Sequence, residues 1–302
     1  MEKIYDLLIL GAGPAGITAS VYAVRKQLDF LVISKDVGGQ TAWSGDVENY
    51  TGYQFISGPE LTLKFQQHME SFGTKVVMPE AVKDLKTEDK DIKVVTDKAE
   101  YISRTLIVAT GKSPRALGVD GEKEFKNKGL TYCATCDGPL FKGKPVAIIG
   151  GGNSGLDAAL QMIKISPKIH IVNTASQLTG DPVMIEKVKK SAVTEIHNQT
   201  RVTKIYGEKF VKGIEINQQG KTYNLEVEGV FVEIGLEPNA DFASILAKNQ
   251  KGEIEVDCSN QTNVEGIFAA GDVTNVPEKQ IIIACGEGSK ACLSAFKYLS
   301  RN

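Results

Sequence analysis

An α/β fold, with one doubly wound domain inserted in another, is what three observations in the sequence predict. A strand–glycine turn–helix–strand pattern opens the chain, the same pattern returns near its middle, and a short apolar strand closing on Gly271-Asp272 comes near the end. A G-x-G-x-x-G turn is a weak signal alone, but between an apolar strand and an amphipathic helix it marks a dinucleotide-binding unit. Two such units predict two Rossmann-like, three-layer ββα-type domains in one chain.

The first unit runs from a mostly apolar strand at 5–10 through Gly11-Ala12-Gly13-Pro14-Ala15-Gly16 into a helix at 17–26 and a strand at 30–33. Strands are expected at 92–96 and 101–108, the latter ending in Ala109-Thr110-Gly111. The second unit repeats the order: strand 146–149, Gly150-Gly151-Gly152-Asn153-Ser154-Gly155, helix 156–165, strand 169–172. Alternating strands at 202–206, 211–217 and 223–227 form a small sheet, and 229–234 reads as an apolar strand. A helix at 286–299 ends the chain. The simplest layout joins 1–113 and 245–302 as one discontinuous domain and inserts 114–244 as the other. Two connections, at 112–114 and 238–242, suit rotation of one body against the other.

Composition narrows the function classes. At 302 residues the chain is long enough for two cores, and a net charge of −2 gives no general attraction to nucleic acid or an anionic membrane. No apolar run approaches the roughly 20 residues that span a bilayer. Five cysteines, odd in number, argue against a secreted disulfide framework. With no leader read after Met1-Glu2-Lys3, the expected compartment is the cytoplasm.

Only Cys133 and Cys136 are spaced as a unit, in Cys133-Ala134-Thr135-Cys136-Asp137-Gly138. Such a pair lowers the pKa of its exposed thiol and cycles between dithiol and disulfide. Asp137 is the candidate proton donor and acceptor, because each departing thiolate gains a proton and each attacking thiol loses one. Cys258, Cys285 and Cys292 are expected as lone packing thiols. His68, His170 and His197 fall on separate elements with no ligand or nucleophile in sequence beside them, so no metal site is expected. Lys123, Lys126, Lys128, Lys142 and Lys144 flank the cysteines as a solvated face, or as a surface that steers an acidic redox partner.

Gly13 would let a pyrophosphate approach the backbone at a helix N-terminus. The strand after it ends Ile33-Ser34-Lys35, without the acidic residue that usually holds a ribose. The second loop is followed by Val172-Asn173-Thr174-Ala175-Ser176-Gln177-Leu178-Thr179, which holds neither the Arg that selects NADPH nor the carboxylate that selects NADH. Either this loop binds a nicotinamide nucleotide weakly or it is a relic of the fold.

Along essentially its whole length the chain resembles the low-molecular-weight thioredoxin reductase family of FAD-dependent disulfide reductases. The carriers are the two glycine loops, Gly38-Gly39-Gln40, Val47-Glu48-Asn49-Tyr50, Ala109-Thr110-Gly111, the Cys133–Gly138 motif and Gly271-Asp272. From Gly229 onward, and above all at Val276-Pro277-Glu278-Lys279-Gln280-Ile281-Ile282-Ile283, it is similar to the flavoprotein component of alkyl hydroperoxide reductase. That relative has a thioredoxin-like module ahead of the FAD strand, so the equivalent partner is expected as a separate protein.

The resemblance implies FAD held by Gly11, Gly13, Pro14, Ala15 and Gly16, with Gly39, Gln40 and Asn49. It adds Ala109, Thr110 and Gly111, then Gly271, Asp272, Lys279, Gln280 and Ile281. Asp272 would bond the ribityl chain and Gln280 would lie near the isoalloxazine. Cys136 would face the flavin, Cys133 would attack the partner disulfide, and Asp137 would move the proton. Family members carry a His-Arg-Arg run or a Glu where this chain has Asn173 to Thr179, and those lacking both resemble a branch fed by ferredoxin. The expected activity is therefore reduction of thioredoxin or a glutaredoxin-like protein, with reduced ferredoxin rather than NADPH as donor, in a homodimer. An NADH-dependent reductase of a thioredoxin or peroxiredoxin system is the alternative within enzymes, and a non-catalytic FAD redox sensor the alternative outside them.

Overall fold

A computed structural model describes residues 3–44, 46–88 and 90–301, without the side chains of Asp46 and Cys136. It divides into two units, Met1–Ser113 with Glu237–Asn302, and Pro114–Leu236. The chain crosses back at Glu237, ahead of the expected 245. The reason lies in Ala240, Ala243 and Leu246, which bury against Leu8, Leu10 and Ile254 in the first unit's core. Thr110 Oγ1 also donates to Asn239 O at 2.6 Å. Where the chain passes between units, Lys112–Pro114 and Leu236–Pro238 pair as a two-stranded ribbon.

In the first unit the strand Ile4–Ala12 pairs in parallel with Phe30–Val37 on one side and Glu100–Val108 on the other. The free edge of Glu100–Val108 is shared: its first half takes Asp91–Thr96 antiparallel, and its second half takes Ile267–Ala269 in parallel. Leu7 and Ile9 face one core, Leu8 and Leu10 the other, so the opening strand is apolar on both faces. On the first face, the helices Pro14–Arg25 and Ile281–Leu299 meet through Ala19, Ala23, Ala291 and Ala295. Their approach is close enough that a methyl at Gly288 would lie 2.0 Å from Ala15 O. The last helix starts at Ile281, earlier than the sequence suggested, because Ile281-Ile282-Ile283 form its first turn rather than an extended run.

The second unit has three layers. A five-stranded parallel sheet runs Leu130–Thr131, Gly229–Val232, Val146–Ile149, Ile169–Val172, Thr194–His197. The antiparallel strands Thr200–Gly207, Val211–Gln218 and Lys221–Glu226 cover one face through Val202, Ile205 and Ile214. Helices Asn153–Met162 and Pro182–Lys190 cover the other through Leu156, Met162 and Val188. The three central strands of the sheet are buried at every position, as strands covered on both faces must be.

Besides the one-turn helices Glu122–Phe125 and Ala134–Asp137, two longer helices were not anticipated from the sequence. Gly58–Ser71 is started by Ser57, whose hydroxyl accepts from Glu60 N, with Pro59 in the first turn. Pro182–Lys190 starts the same way, Asp181 accepting from Val183 N at 2.8 Å. Among the described residues no helix is long and apolar enough to cross a membrane.

Candidate functional site

The first unit holds a cavity of about 650 Å³, within the range of cofactor sites. It opens over the N-terminus of helix Pro14–Arg25, which has Gly13 as N-cap, no side-chain cap and no acidic residue in its first turn. The uncapped amides and the helix dipole therefore face the cavity as an anion site. Gly11 shapes this turn: its φ of +104° is costly for other residues, and a methyl would lie 2.4 Å from Ala109 O. At Gly13 a methyl would meet nothing within 4 Å, so the space beyond is open.

Every residue expected at the cofactor lines this cavity except Gly16. Gly16 sits one turn inside the helix, where a methyl would lie 1.8 Å from Gly11 O; it lets helix and strand approach. Gln40 Nε2 donates to Asp272 Oδ2 at 3.4 Å, and Asn49 Nδ2 to Gln280 Oε1 at 2.9 Å. Burial pushes the Asp272 carboxyl up, against the pull of Lys279 and Lys112. Ser34, the missing acid, accepts from Ala12 N at 3.0 Å and donates to Asp36 O at 2.6 Å, and its strand continues to Val37.

A cluster beside the cavity was not read from the sequence. Buried Glu253 takes Lys112 Nζ at 2.8 Å and Lys279 Nζ at 3.2 Å, both from cavity-lining lysines. Burial alone would raise this carboxyl, but Lys112, Asn249 and Lys279 outweigh it and hold it at about 2. The signal available was Lys112, directly after Ala109-Thr110-Gly111; its partner lies far along the chain.

The redox motif lies in the second unit. Cys133 is disulfide-bonded, and the next four residues form the short helix Ala134–Asp137. Cys136 belongs to that helix, but its side chain lies outside the described residues. Thr131 organises the turn: its hydroxyl donates to Asp137 Oδ2 and accepts from Cys133 N at 3.2 Å. Glu233, missed in the sequence, accepts from the backbone of Ala134, and burial pushes its carboxyl up to about 7, with Asp157 adding to the rise. A charge interrupting the apolar run 229–234 was the trace it left.

The second glycine loop is open at Gly152, the counterpart of Gly13, but a side chain lies against the residue before it. A methyl on Gly151 would lie 2.6 Å from the Asn173 side chain. Asn173 is 5% exposed and spends its amide on its own loop, donating to Gln177 O at 2.8 Å and Asn198 Oδ1 at 3.1 Å. Thr179 N donates to Gly151 O at 2.8 Å, and Gly180 packs on Leu156 and Asn153 at the start of the following helix.

Two expectations from the sequence need correction. Cys258 is exposed rather than packed, whereas Cys285 and Cys292 are buried. His170 and His197 are not isolated: the register of Ile169–Val172 on Thr194–His197 brings His170 Nδ1 within 3.0 Å of His197 Nε2, with Glu195 alongside. His68 is exposed, its ring 5.5 Å from that of Phe72.

A family described as pyridine nucleotide-disulphide oxidoreductase matches residues 5–288. The chain belongs to the pyridine nucleotide-disulphide oxidoreductase family. The F component of the alkyl hydroperoxide reductase of Staphylococcus aureus is 38% identical over 305 residues, covering 100% of this chain and 60% of the relative. A protein named NADH dehydrogenase from Ferdinandcohnia aciditolerans is 38% identical over 301 residues, covering 99% of this chain and 58% of the relative. The chain thus spans 60% or less of the length of these two curated relatives. Among solved structures, Lactococcus lactis thioredoxin reductase is similar at a TM-score of 0.86 and 31% identity, over 99% of this chain and 100% of that one. T. acidophilum thioredoxin reductase gives 0.83 and 36%, over 100% of both chains.

These likenesses make the chain a thioredoxin reductase-like member of the flavoprotein disulfide oxidoreductases, and the family implies FAD. The first unit fits that group: an uncapped helix N-terminus for the diphosphate, open space at Gly13, and a half-buried carboxylate with adjoining amides as polar anchors.

Proposed function

We propose that this chain is a protein-disulfide reductase acting on thioredoxin or a glutaredoxin-like protein through Cys133 and Cys136, with reduced ferredoxin rather than NADPH as electron donor. The observation that carries the reading is the Cys133 disulfide with Asp137 tied to it through Thr131. In this reading the first unit is the FAD domain. Gly11, Gly13, Pro14 and Ala15 take the diphosphate, with Gly16 letting the helix approach the strand behind them; Asp272 with Gln40 takes the ribityl chain, and Asn49, Lys279, Gln280 and Ile281 surround the rest. Gly39, Ala109, Thr110 and Gly111 line its flanks. The second unit, which keeps a nucleotide-domain fold, carries the redox pair.

FAD held by the first-unit residues would, once reduced by two one-electron donations from ferredoxin, supply the two electrons that open the Cys133–Cys136 disulfide. Cys133 thiolate then attacks the partner's disulfide, forming a mixed disulfide and releasing one partner thiolate. Cys136 attacks Cys133 sulfur, restoring the internal disulfide and releasing the second thiolate. Two protons leave this chain's thiols and two reach the partner's, so a proton carrier must sit at the pair. Asp137 is the expected carrier; Glu233, which accepts from the Ala134 backbone and is pushed up to about 7 by burial, is a second acid at the motif.

The donor assignment rests on the second loop. No Arg or carboxylate lies between Asn173 and Thr179, and Asn173 is turned into the loop rather than outward. One observation favours a second reading, an NADH-dependent reductase: the relatives named above include an NADH dehydrogenase and the F component of an alkyl hydroperoxide reductase.

Anaerobic titration of the oxidised flavoprotein with reduced ferredoxin, NADH and NADPH in parallel decides between them. Bleaching by ferredoxin alone is expected; bleaching by submillimolar NADPH overturns the donor assignment, and bleaching by NADH selects the second reading. Cys136→Ser separates enzyme from sensor, since a reductase loses thioredoxin turnover while retaining its flavin.

A further inference from the structure

We propose that His170, Glu195 and His197 form a binding site for a divalent transition-metal ion of the zinc class. The argument starts from register. His170 on Ile169–Val172 stands opposite Glu195 on Thr194–His197, and Val172 stands opposite His197. In a parallel pair, registered residues share a face and alternate residues return to it, so all three side chains gather on one side of the sheet. The neighbouring Ile169 and Ile171 turn to the opposite, helix-covered face.

The donor atoms have the spacing that one ion requires. His170 Nδ1 lies 3.0 Å from His197 Nε2, while Glu195 Oε2 lies 3.6 Å from the first and Oε1 3.7 Å from the second. Ligands each about 2.0–2.2 Å from a shared ion are separated by distances of this order. One potential ligand atom from each residue lies within 4.8 Å of the others. Imidazole and carboxylate are a donor set for zinc-class ions, whereas magnesium and calcium favour oxygen throughout.

Access and charge fit as well. The imidazoles are nearly buried, at 6% and 12% side-chain exposure, while Glu195 is 50% exposed, so an ion enters from the carboxylate side. Burial disfavours the charged form of both imidazoles, against the pull of Glu195. Lys168 Nζ, 3.1 Å from Glu195 Oε2, is the competing cation that the metal displaces. Solvent completes the coordination, since three protein ligands leave a position open.

The site stands at the start of the loop that follows Ile169–Val172, because Asn173 N donates to His197 O at 2.9 Å. A bound ion would cross-link the strand from which that loop departs to its neighbour Thr194–His197.

The test is titration of the full-length, FAD-loaded, air-oxidised protein with zinc chloride, read by calorimetry and by thermal unfolding. One ion per chain is expected, with a rise in Tm on binding. His197→Gln and Glu195→Gln are each expected to weaken binding by more than about tenfold, since even supporting groups outside a ligand set cost about 10–100-fold. Cys258→Ser, which removes the exposed thiol, is expected to bind as the parent does. If His197→Gln fails to fold, Glu195→Gln decides alone, its side chain being half exposed. No stoichiometric uptake by the parent, uptake unchanged in Glu195→Gln, or uptake lost in Cys258→Ser would each overturn the proposal.

Discussion

The two glycine loops have nearly the same sequence pattern and opposite fates. In the first, the residue after Ile33 is Ser34, within the strand Phe30–Val37 and small enough to settle beside Ala12. In the second the equivalent residue is Asn173, and Gly151 gives its amide the room to lie across the turn. A methyl at Gly13 meets nothing, and one at the equivalent Gly152 meets only Thr179 Oγ1, at 4.0 Å. The backbone closes alike in both, Gly38 N donating to Ala12 O at 2.7 Å and Thr179 N to Gly151 O at 2.8 Å. What differs is the Asn173 side chain, which lies against Gly151. A glycine fingerprint therefore specifies a backbone path; the side chain at the position of Ser34 and Asn173 decides whether a ligand can use it.

The largest test of this contrast concerns what keeps the first cavity polar. Replacing Glu253 by Gln strands two lysines, and breaking a buried ion pair in this way costs about 3–5 kcal/mol. The folded-state value of about 2 lies below the ordinary carboxylate range, so the stabilisation is present above that range and fades as pH falls towards 2. Denaturant unfolding of Glu253→Gln should show the deficit at pH 7 and a shrinking one below pH 4. An equal deficit at all pH values would mean packing, not charge, is what Glu253 provides.

Next comes the open position itself. Gly13→Val should weaken FAD binding by about 100-fold, or about 2.7 kcal/mol, while Gly152→Val in the other loop leaves flavin content unchanged. Flavin content and affinity of the two purified variants are the measurement. Equal loss in both would erase the difference between the two loops.

A smaller effect is expected at Glu233. Its folded pKa of about 7 lies above the ordinary value, so the fold favours the protonated form. Wild-type stability falls as pH rises from about 4.5 to 7 on this account and is flat beyond. Glu233→Gln should therefore be more stable than wild type at pH 8, by roughly 1–3 kcal/mol, with the gain vanishing below about pH 4. Loss of thioredoxin turnover in the same variant would mark the carboxyl as part of proton delivery.

Asn173→Ala is the smallest change, expected to cost about 1 kcal/mol for the lost amide bonds. If the variant gains flavin reduction by NADH, the packing of the loop is what had excluded the nucleotide. Should it gain none, the missing charged residues at 173–179 are sufficient by themselves.

How much of this was legible beforehand follows from the range of each interaction. Strand, turn and helix around Gly11 and Gly150 are local patterns, and a cavity opens beside the first of them. Helices Gly58–Ser71 and Pro182–Lys190 carried their signals too, a capping side chain before a proline, yet weak periodicity hid them. What sequence could not supply was pairing at a distance. Glu253 meets Lys112 across the whole inserted unit, and His170 meets His197 only because two parallel strands align in one register among several conceivable ones. Thr131 was invisible for a different reason: a threonine near a cysteine has no distinguishing pattern until the turn is folded.

The insertion also dictates an order of birth. The second unit is one unbroken stretch, Pro114–Leu236, with Arg115 N bonded to Gly235 O near its two ends. A chain leaving the ribosome can complete it early. The first unit cannot close until Ile267–Ala269 joins the sheet and Ile281–Leu299 reaches Pro14–Arg25. Once Leu236 has emerged, then, a finished second unit is tethered to an unfinished first one until the remaining residues follow. The apolar strand Glu100–Val108 waits with an unfilled edge for residues that emerge last.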